Sequence, residues 1–134
     1  MKTIKNNYLA VDIQEKGAQL WSIKDASGHE YLWQGDPAYW EDRAPNLFPY
    51  IARLTEGKYT LHGETYNMDI HGFAKDSIFE SKQPSDNKIT FYIGNTEETY
   101  CQYPYAFLFE ITYELIETKL LITYGVKNKD NKTM

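Results

Sequence analysis

Two residues in this chain combine a side chain suited to binding or proton transfer with a neighbourhood that exposes it. In "YNMDIHGFAKD", His71 stands directly before Gly72, where the missing side chain lets a ligand or another strand come close to the imidazole. Arg53 closes the apolar run "LFPYIA", so its guanidinium should emerge where the core meets solvent. A guanidinium is a rigid fork of donors that suits vicinal hydroxyls, carboxylates or phosphates. Each residue also has a plainer reading. A lone histidine is more often structural than a ligand, and a strand-end arginine can lie along the surface paired with Glu56. His29 and His62 sit in turn contexts, which favours the structural reading for both.

Other chemistries lack their signatures. No two histidines have metal-ligand spacing, no CxxC occurs, and no metal site is expected. A Gly-rich phosphate loop, a nucleophile elbow and a dinucleotide fingerprint are all missing. Aromatic residues are the remaining signal, with 12 Tyr, 6 Phe and 3 Trp. Many must be core, since strands favour aromatic side chains. Trp33, Tyr39 and Trp40 instead flank the Pro-containing "QGDPAYWEDR", where exposed rings could stack on the apolar faces of sugars.

The elements that would position these residues are strands, because the dominant apolar spacing is two. Leu9, Val11 and Ile13 share a face in "LAVDIQ". Asp25, Ser27 and Gly28 separate "GAQLWSIKD" from "EYLW" as a hairpin connection does, and "KYTLHGETYNM" places His62 and Gly63 at a second turn. In "AFLFEITYELIETKLLITYGVKN", Phe107, Phe109, Ile111, Tyr113 and Leu115 alternate with Leu108, Glu110, Thr112 and Glu114 before a turn near Glu117. That is a long antiparallel hairpin. Strands at roughly ten-residue intervals predict an all-β antiparallel sandwich or opened barrel, with helix a minor element. Only "QPSDNK" and "KNKDNKTM" are polar enough to be exposed loops.

At 134 residues one domain is the default. A net charge of −5 with scattered basic residues argues against nucleic acid as a partner. No stretch approaches the roughly 20 apolar residues that span a bilayer, and "MKTIKNNYLAVDIQ" has no apolar leader core. Cys101 is the only cysteine, so no intrachain disulfide can form. Together these predict an intracellular, cytoplasmic protein.

The blocks "GAQLWSIKD", "EYLWQGDPAYWEDRAPNLFPYIARL", "YTLHGETYNMDIHGFAKDSIFE", "YPYAFLFEITYEL" and "LLITYGVKN" resemble the aldose 1-epimerase (galactose mutarotase) family, in particular its LacX-like branch. The resemblance implies the N-terminal part of a large antiparallel β supersandwich, with residues 1–134 a single partial domain. It implies a carbohydrate isomerase that interconverts α and β anomers of an aldose by ring opening and closure, without a cofactor. In that scheme "WEDRAPNLFPYIARL" crosses the sandwich as an active-site strand that delivers Arg53 to the sugar, and His71 hydrogen-bonds sugar hydroxyls near the ring oxygen. A carboxylate takes the anomeric hydroxyl proton while an imidazolium protonates the ring oxygen.

Family members continue well beyond the position matching Met134, and their general acid and base lie in that later part. None of Glu97, Glu98, Glu110 or Glu114 matches the base, so the resemblance implies a truncated chain, weak or inactive alone. Uncovered sheet edges would then favour self-association. Ala52 stands where sugar-specific mutarotases commonly carry Asn, which weakens a galactose assignment. Arg43 and Lys75 could serve a phosphorylated sugar, since LacX-like genes often accompany sugar-phosphate pathways; as two solvated surface cations they would need no ligand. Trp33 is a candidate platform for the sugar ring. The alternatives to an enzyme are a non-catalytic carbohydrate-binding sandwich and a β-rich interaction fragment without a ligand.

Overall fold

The alternation seen in the sequence becomes a sheet face in the computed structural model, which describes residues 1–134. Strand β1 (Lys2–Lys5), β2 (Leu9–Ile13) and β3 (Leu20–Asp25) form an antiparallel sheet in the order β1-β2-β3. β4 (Lys58–Leu61) and β5 (Glu64–Asn67) make a separate hairpin whose His62-Gly63 turn has positive φ at both residues. β6 (Glu80–Ser85), β7 (Lys88–Gly94), β8 (Phe107–Ile116) and β9 (Lys119–Asn128) follow in chain order as a four-stranded antiparallel sheet. One helix, α1 (Glu97–Gln102), bridges β7 and β8. It starts at Thr96 in a reciprocal cap with Thr99, whose N–H donates to Thr96 Oγ1 at 3.1 Å while Thr96 N–H donates to Thr99 Oγ1 at 2.8 Å.

The sheets face one another across one core. Ile4, Val11, Ile13 and Leu20 from the small sheet meet Ile89, Phe91, Phe107, Phe109, Ile111, Tyr113 and Leu115 from the large one. All-β, antiparallel and sandwich-like, the architecture matches the expectation from period-two spacing, and the β8–β9 hairpin turns at Glu117. The first departure is small. Gln83 to Ser85 do not lie in a loop but extend β6, with a register shift between Lys82 and Ser85 that brackets Pro84. β6 is an edge strand, where a missing ladder N–H is tolerated.

A larger departure concerns the segment before β4. Expected as a strand, "WEDRAPNLFPYIARL" has no strand in it. It runs as irregular chain with a cis Phe48–Pro49 peptide and a single parallel bridge, Phe48 to Gly72. Its two prolines deprive a would-be ladder of two donors, and Ala52 is in the left-handed region. Asn46 anchors it instead. Its buried amide donates to the Gly17 carbonyl at 2.9 Å, the Ala18 carbonyl at 3.0 Å and Tyr113 Oη at 3.1 Å, while Tyr124 Oη donates to Asn46 Oδ1 at 2.8 Å. Burial pushes the Tyr113 phenol well above its ordinary pKa, and its hydroxyl donates to the Ala18 carbonyl at 2.7 Å.

The far edge of the large sheet is less covered. Leu120, Ile122, Tyr124 and Val126 of β9 pair with Leu115, Tyr113, Ile111 and Phe109, so all four lie on the core side. Tyr124 is nevertheless 57% exposed and Val126 48%.

The Asn46 junction yields the first test. Replacing Asn46 with Ala strands the buried Gly17 carbonyl, at about 1–3 kcal/mol, and removes one partner each from the Ala18 carbonyl, which keeps Tyr113 Oη, and from the Tyr124 hydroxyl. Urea unfolding should show Asn46→Ala destabilised by about 2–4 kcal/mol, and a loss below about 0.5 kcal/mol would remove Asn46 from that role.

Candidate functional site

Phe48 builds the site from beneath. Its ring stacks on Phe109 with centroids 4.6 Å apart and packs edge-on or tilted against Phe73, Tyr103 and Phe107. Its carbonyl leaves the core on the other side, accepting from the Phe73 N–H at 3.0 Å and the Ala74 N–H at 3.1 Å. This brings the backbone of Gly72 against residue 48. At Gly72 φ is +73°, and a Cβ there would lie 2.2 Å from the Phe48 oxygen and 2.6 Å from Pro49 Cδ. Only glycine fits, so the sequence expectation of a close approach beside His71 is met by protein backbone.

His71 is lifted out of that contact. Its own φ is +68°, and across from it Ala52 has φ +77°. Non-glycine residues pay roughly 1–2 kcal/mol each for this conformation. Two hydrogen bonds join the pair: the His71 N–H donates to the Ala52 carbonyl at 3.1 Å, and the Ala52 N–H donates to His71 Nδ1 at 2.9 Å. The imidazole is half-buried, and its Nε2 has no protein partner. Arg53 follows Ala52 directly. Its exposed side chain makes no hydrogen bond or ion pair, with Glu56 or any other residue. His71 is thus bonded to the residue that precedes Arg53 in the chain, and neither the Arg53 guanidinium nor the His71 Nε2 has a protein partner.

The other candidates lie elsewhere. Arg43 stacks on the Trp21 ring, 4.0 Å from its centroid, and donates from Nη1 to the Trp21 carbonyl and to Gln34 Oε1, the latter at 2.6 Å. Lys75 is ion-paired with Asp76, which also holds Lys16 at 3.2 Å. Those groups line a polar cleft of about 220 Å³ with Glu41 and Asp42, so three carboxylates face two lysines there. That balance repels an anion such as phosphate. Trp33 donates its indole N–H to the Trp40 carbonyl at 2.9 Å and meets Tyr39 edge-on at 6.4 Å. All three rings are exposed, but no hydrogen bond or ring contact joins this loop to Ala52, Arg53 or His71. His29 packs edge-on against Tyr31, and His62 forms the β4–β5 turn, as their contexts suggested.

A roomier cleft, about 540 Å³, opens between the β2–β3 end and the β8–β9 turn, lined by Tyr8, Leu9, Ile23, Asp25, Tyr31 and Leu120 among others. Asp25 is occupied there in holding its own turn. Hydrogen bonds from the Ser27 and Tyr31 hydroxyls bring its pKa down to about 2. Two positions that matter here went unassigned in the sequence. Ala52 carries no side-chain signal, since it acts through its amide. Asn46 does carry one, a polar amide amid the apolar residues of "APNLFPY".

No group of His, Cys, Asp and Glu side chains has the arrangement of a metal site. No helix is long and apolar enough to cross a membrane.

The family model "Aldose 1-epimerase" matches residues 1–134, and the chain belongs to that family. It is 35% identical over 137 residues to the plasmid-encoded protein LacX of Lactococcus lactis subsp. lactis, covering 98% of this chain and 46% of that one. A galactose mutarotase related enzyme from Lactobacillus acidophilus superposes with a TM-score of 0.96 at 39% identity, over 99% of this chain and 45% of the other. A galactose mutarotase-like protein from Lactobacillus casei ATCC 334 gives 0.96 at 38% identity, over 100% and 46%. The chain therefore spans about half the length of these relatives.

The close approach at residue 72 separates site architecture from ordinary turn chemistry. Gly72→Ala should cost more than about 3 kcal/mol, because strain and a backbone collision add. Gly63→Ala, at φ +88° with nothing within 4 Å of its Cβ position, should cost about 1 kcal/mol. Equal stability of the two variants in denaturant unfolding would show that the Phe48–Gly72 contact is not tight.

Proposed function

We propose that residues 1–134 form the sugar-orienting half of an aldose 1-epimerase site, in which Arg53 and His71 hold hydroxyls of an aldose near its ring oxygen. The observation that carries this reading is the unpaired, exposed Arg53 on the arm whose preceding residue, Ala52, is hydrogen-bonded in both directions to His71 on the facing turn, with the His71 Nε2 left without a protein partner. A guanidinium spans two vicinal hydroxyls, and an imidazole N–H adds a directional third bond. Neutral polyols suit the location better than anions, since the other candidate cations, Arg43 and Lys75, are held by Trp21, Gln34 and Asp76.

Ring opening requires a base at the anomeric hydroxyl and an acid at the ring oxygen; closure after rotation about C1–C2 reverses both transfers. In this proposal neither group comes from residues 1–134. A longer form with the length of the relatives supplies them, and this chain fixes the sugar so that the transfers are aligned. The exposed core-side residues Tyr124 and Val126 of β9 support a companion proposal, that the isolated chain associates through this edge. Sedimentation should then show concentration-dependent dimers or larger species, and a monomer at every concentration would sink the association.

The functional test follows anomer equilibration of fresh α-glucose and α-galactose by polarimetry or proton NMR. The 134-residue chain should leave the rate at that of buffer, while the longer form accelerates it. In the longer form Arg53→Ala or His71→Ala should lower kcat/KM by roughly 100-fold, with unfolding midpoints nearly unchanged. A rate that survives both substitutions would remove Arg53 and His71 from the site, and acceleration by the 134-residue chain would place an acid and base within it.

A further inference from the structure

We propose that the Ala52 amide is a positioning group that fixes the tautomer of His71, making its Nε2–H a hydrogen-bond donor toward a sugar oxygen and denying the ring any role as a base. The sugar half of this statement rests on the function proposed above; the tautomer rests on geometry alone. The Ala52 N–H donates to Nδ1 at 2.9 Å, so that nitrogen presents its lone pair inward and the single proton of the neutral ring lies on Nε2. Backbone amides do not rotate or exchange roles as a hydroxyl does, which makes this a more rigid assignment than a side chain could give.

The local backbone exists to make that bond. Ala52 and His71 both adopt left-handed φ, at +77° and +68°, and the return bond from the His71 N–H to the Ala52 carbonyl at 3.1 Å closes the pair into a ring. In an extended conformation residue 52 would direct its N–H along a strand ladder rather than at an imidazole. Gly72, pressed against the Phe48 carbonyl, fixes the other side of His71. A device of this kind supplies a donor whose direction is set before ligand arrives, so little order is lost on binding. It also assigns the work: His71 can donate to a hydroxyl or ring oxygen, and the base that removes the anomeric proton must be another group.

One substitution separates clamp from donor, and a second keeps both as a control. His71→Asn places an amide oxygen where Nδ1 was and tolerates positive φ, so it keeps the clamp and loses the outward N–H. Ala52→Gly keeps the amide and suits φ +77°. The experiment is nitrogen-15 NMR of the 134-residue chain at pH 8, reading the protonation of both His71 nitrogens and the scalar coupling across the bond from Ala52 N to Nδ1, then titrating with glucose and galactose. Expected are a protonated Nε2, a coupling to Ala52 retained in Ala52→Gly, and a sugar-dependent shift at Nε2. His71→Asn should weaken sugar binding roughly tenfold or more while leaving the unfolding transition in place. A proton on Nδ1, or no coupling to Ala52, overturns the clamp whatever the sugar does. A protonated Nε2 with intact coupling and no response to either aldose overturns the sugar assignment and leaves the clamp standing.

Discussion

The constraint on which the rest of this structure depends is the double engagement of Phe48. Its ring is held in the core against Phe109, and its carbonyl is held outside by Phe73 and Ala74. Neither half moves without the other. A ring that left its stack would withdraw the oxygen from two N–H groups, and a displaced oxygen would pull the ring from a cluster of four aromatics. The His71 turn is therefore fixed relative to the large sheet by core packing, although His71 itself is only half-buried. Hydrophobic burial, which has no direction, is converted into direction by one peptide unit.

The irregular arm around Phe48 carries a cost that the sandwich must offset. Residues without a ladder leave backbone carbonyls and amides to satisfy, and the nearby turn at Gly17 and Ala18 has the same need. Asn46 serves both, since one side chain fills two carbonyls, one phenol and one phenolic proton in a buried position. A strand at residues 44–54 would have satisfied its own backbone by pairing. It would also have pointed successive side chains to opposite faces, separating Ala52 from His71. Irregularity here is what lets residue 52 aim its amide.

Much of the fold was legible in the sequence because strands that bury one face must alternate, and β8 alternates over its whole length. Gly63 located the β4–β5 hairpin for an equally local reason, since glycine tolerates positive φ, and the β8–β9 turn showed as the point where the alternation ends. For the segment 40–54 a strand was expected only through the family resemblance; its two prolines, and the contact of Phe48 with residues 72–74 far along the chain, hold it out of a ladder. Within the candidate site, His71 was visible through Gly72, and its geometry bears out the close approach. Ala52 was not visible as a donor, because a backbone amide is present at every position except proline. Arg43 looked free in sequence, and only the fold places Trp21 beneath it.

The strain at Ala52 and His71 bears on what selection can change here. Two left-handed residues cost together roughly 2–4 kcal/mol, and the bonds between them return about 1 kcal/mol each. The pair is thus between neutral and about 2 kcal/mol unfavourable, so a polymer that needed only to fold would gain by placing glycine at either position. Glycine at 52 would retain the amide; glycine at 71 would discard the imidazole. The inward bond to Ala52 contributes no more than the strain at residue 71 removes, so the fold alone gives no preference for histidine there, which is what the proposed outward role of Nε2 requires.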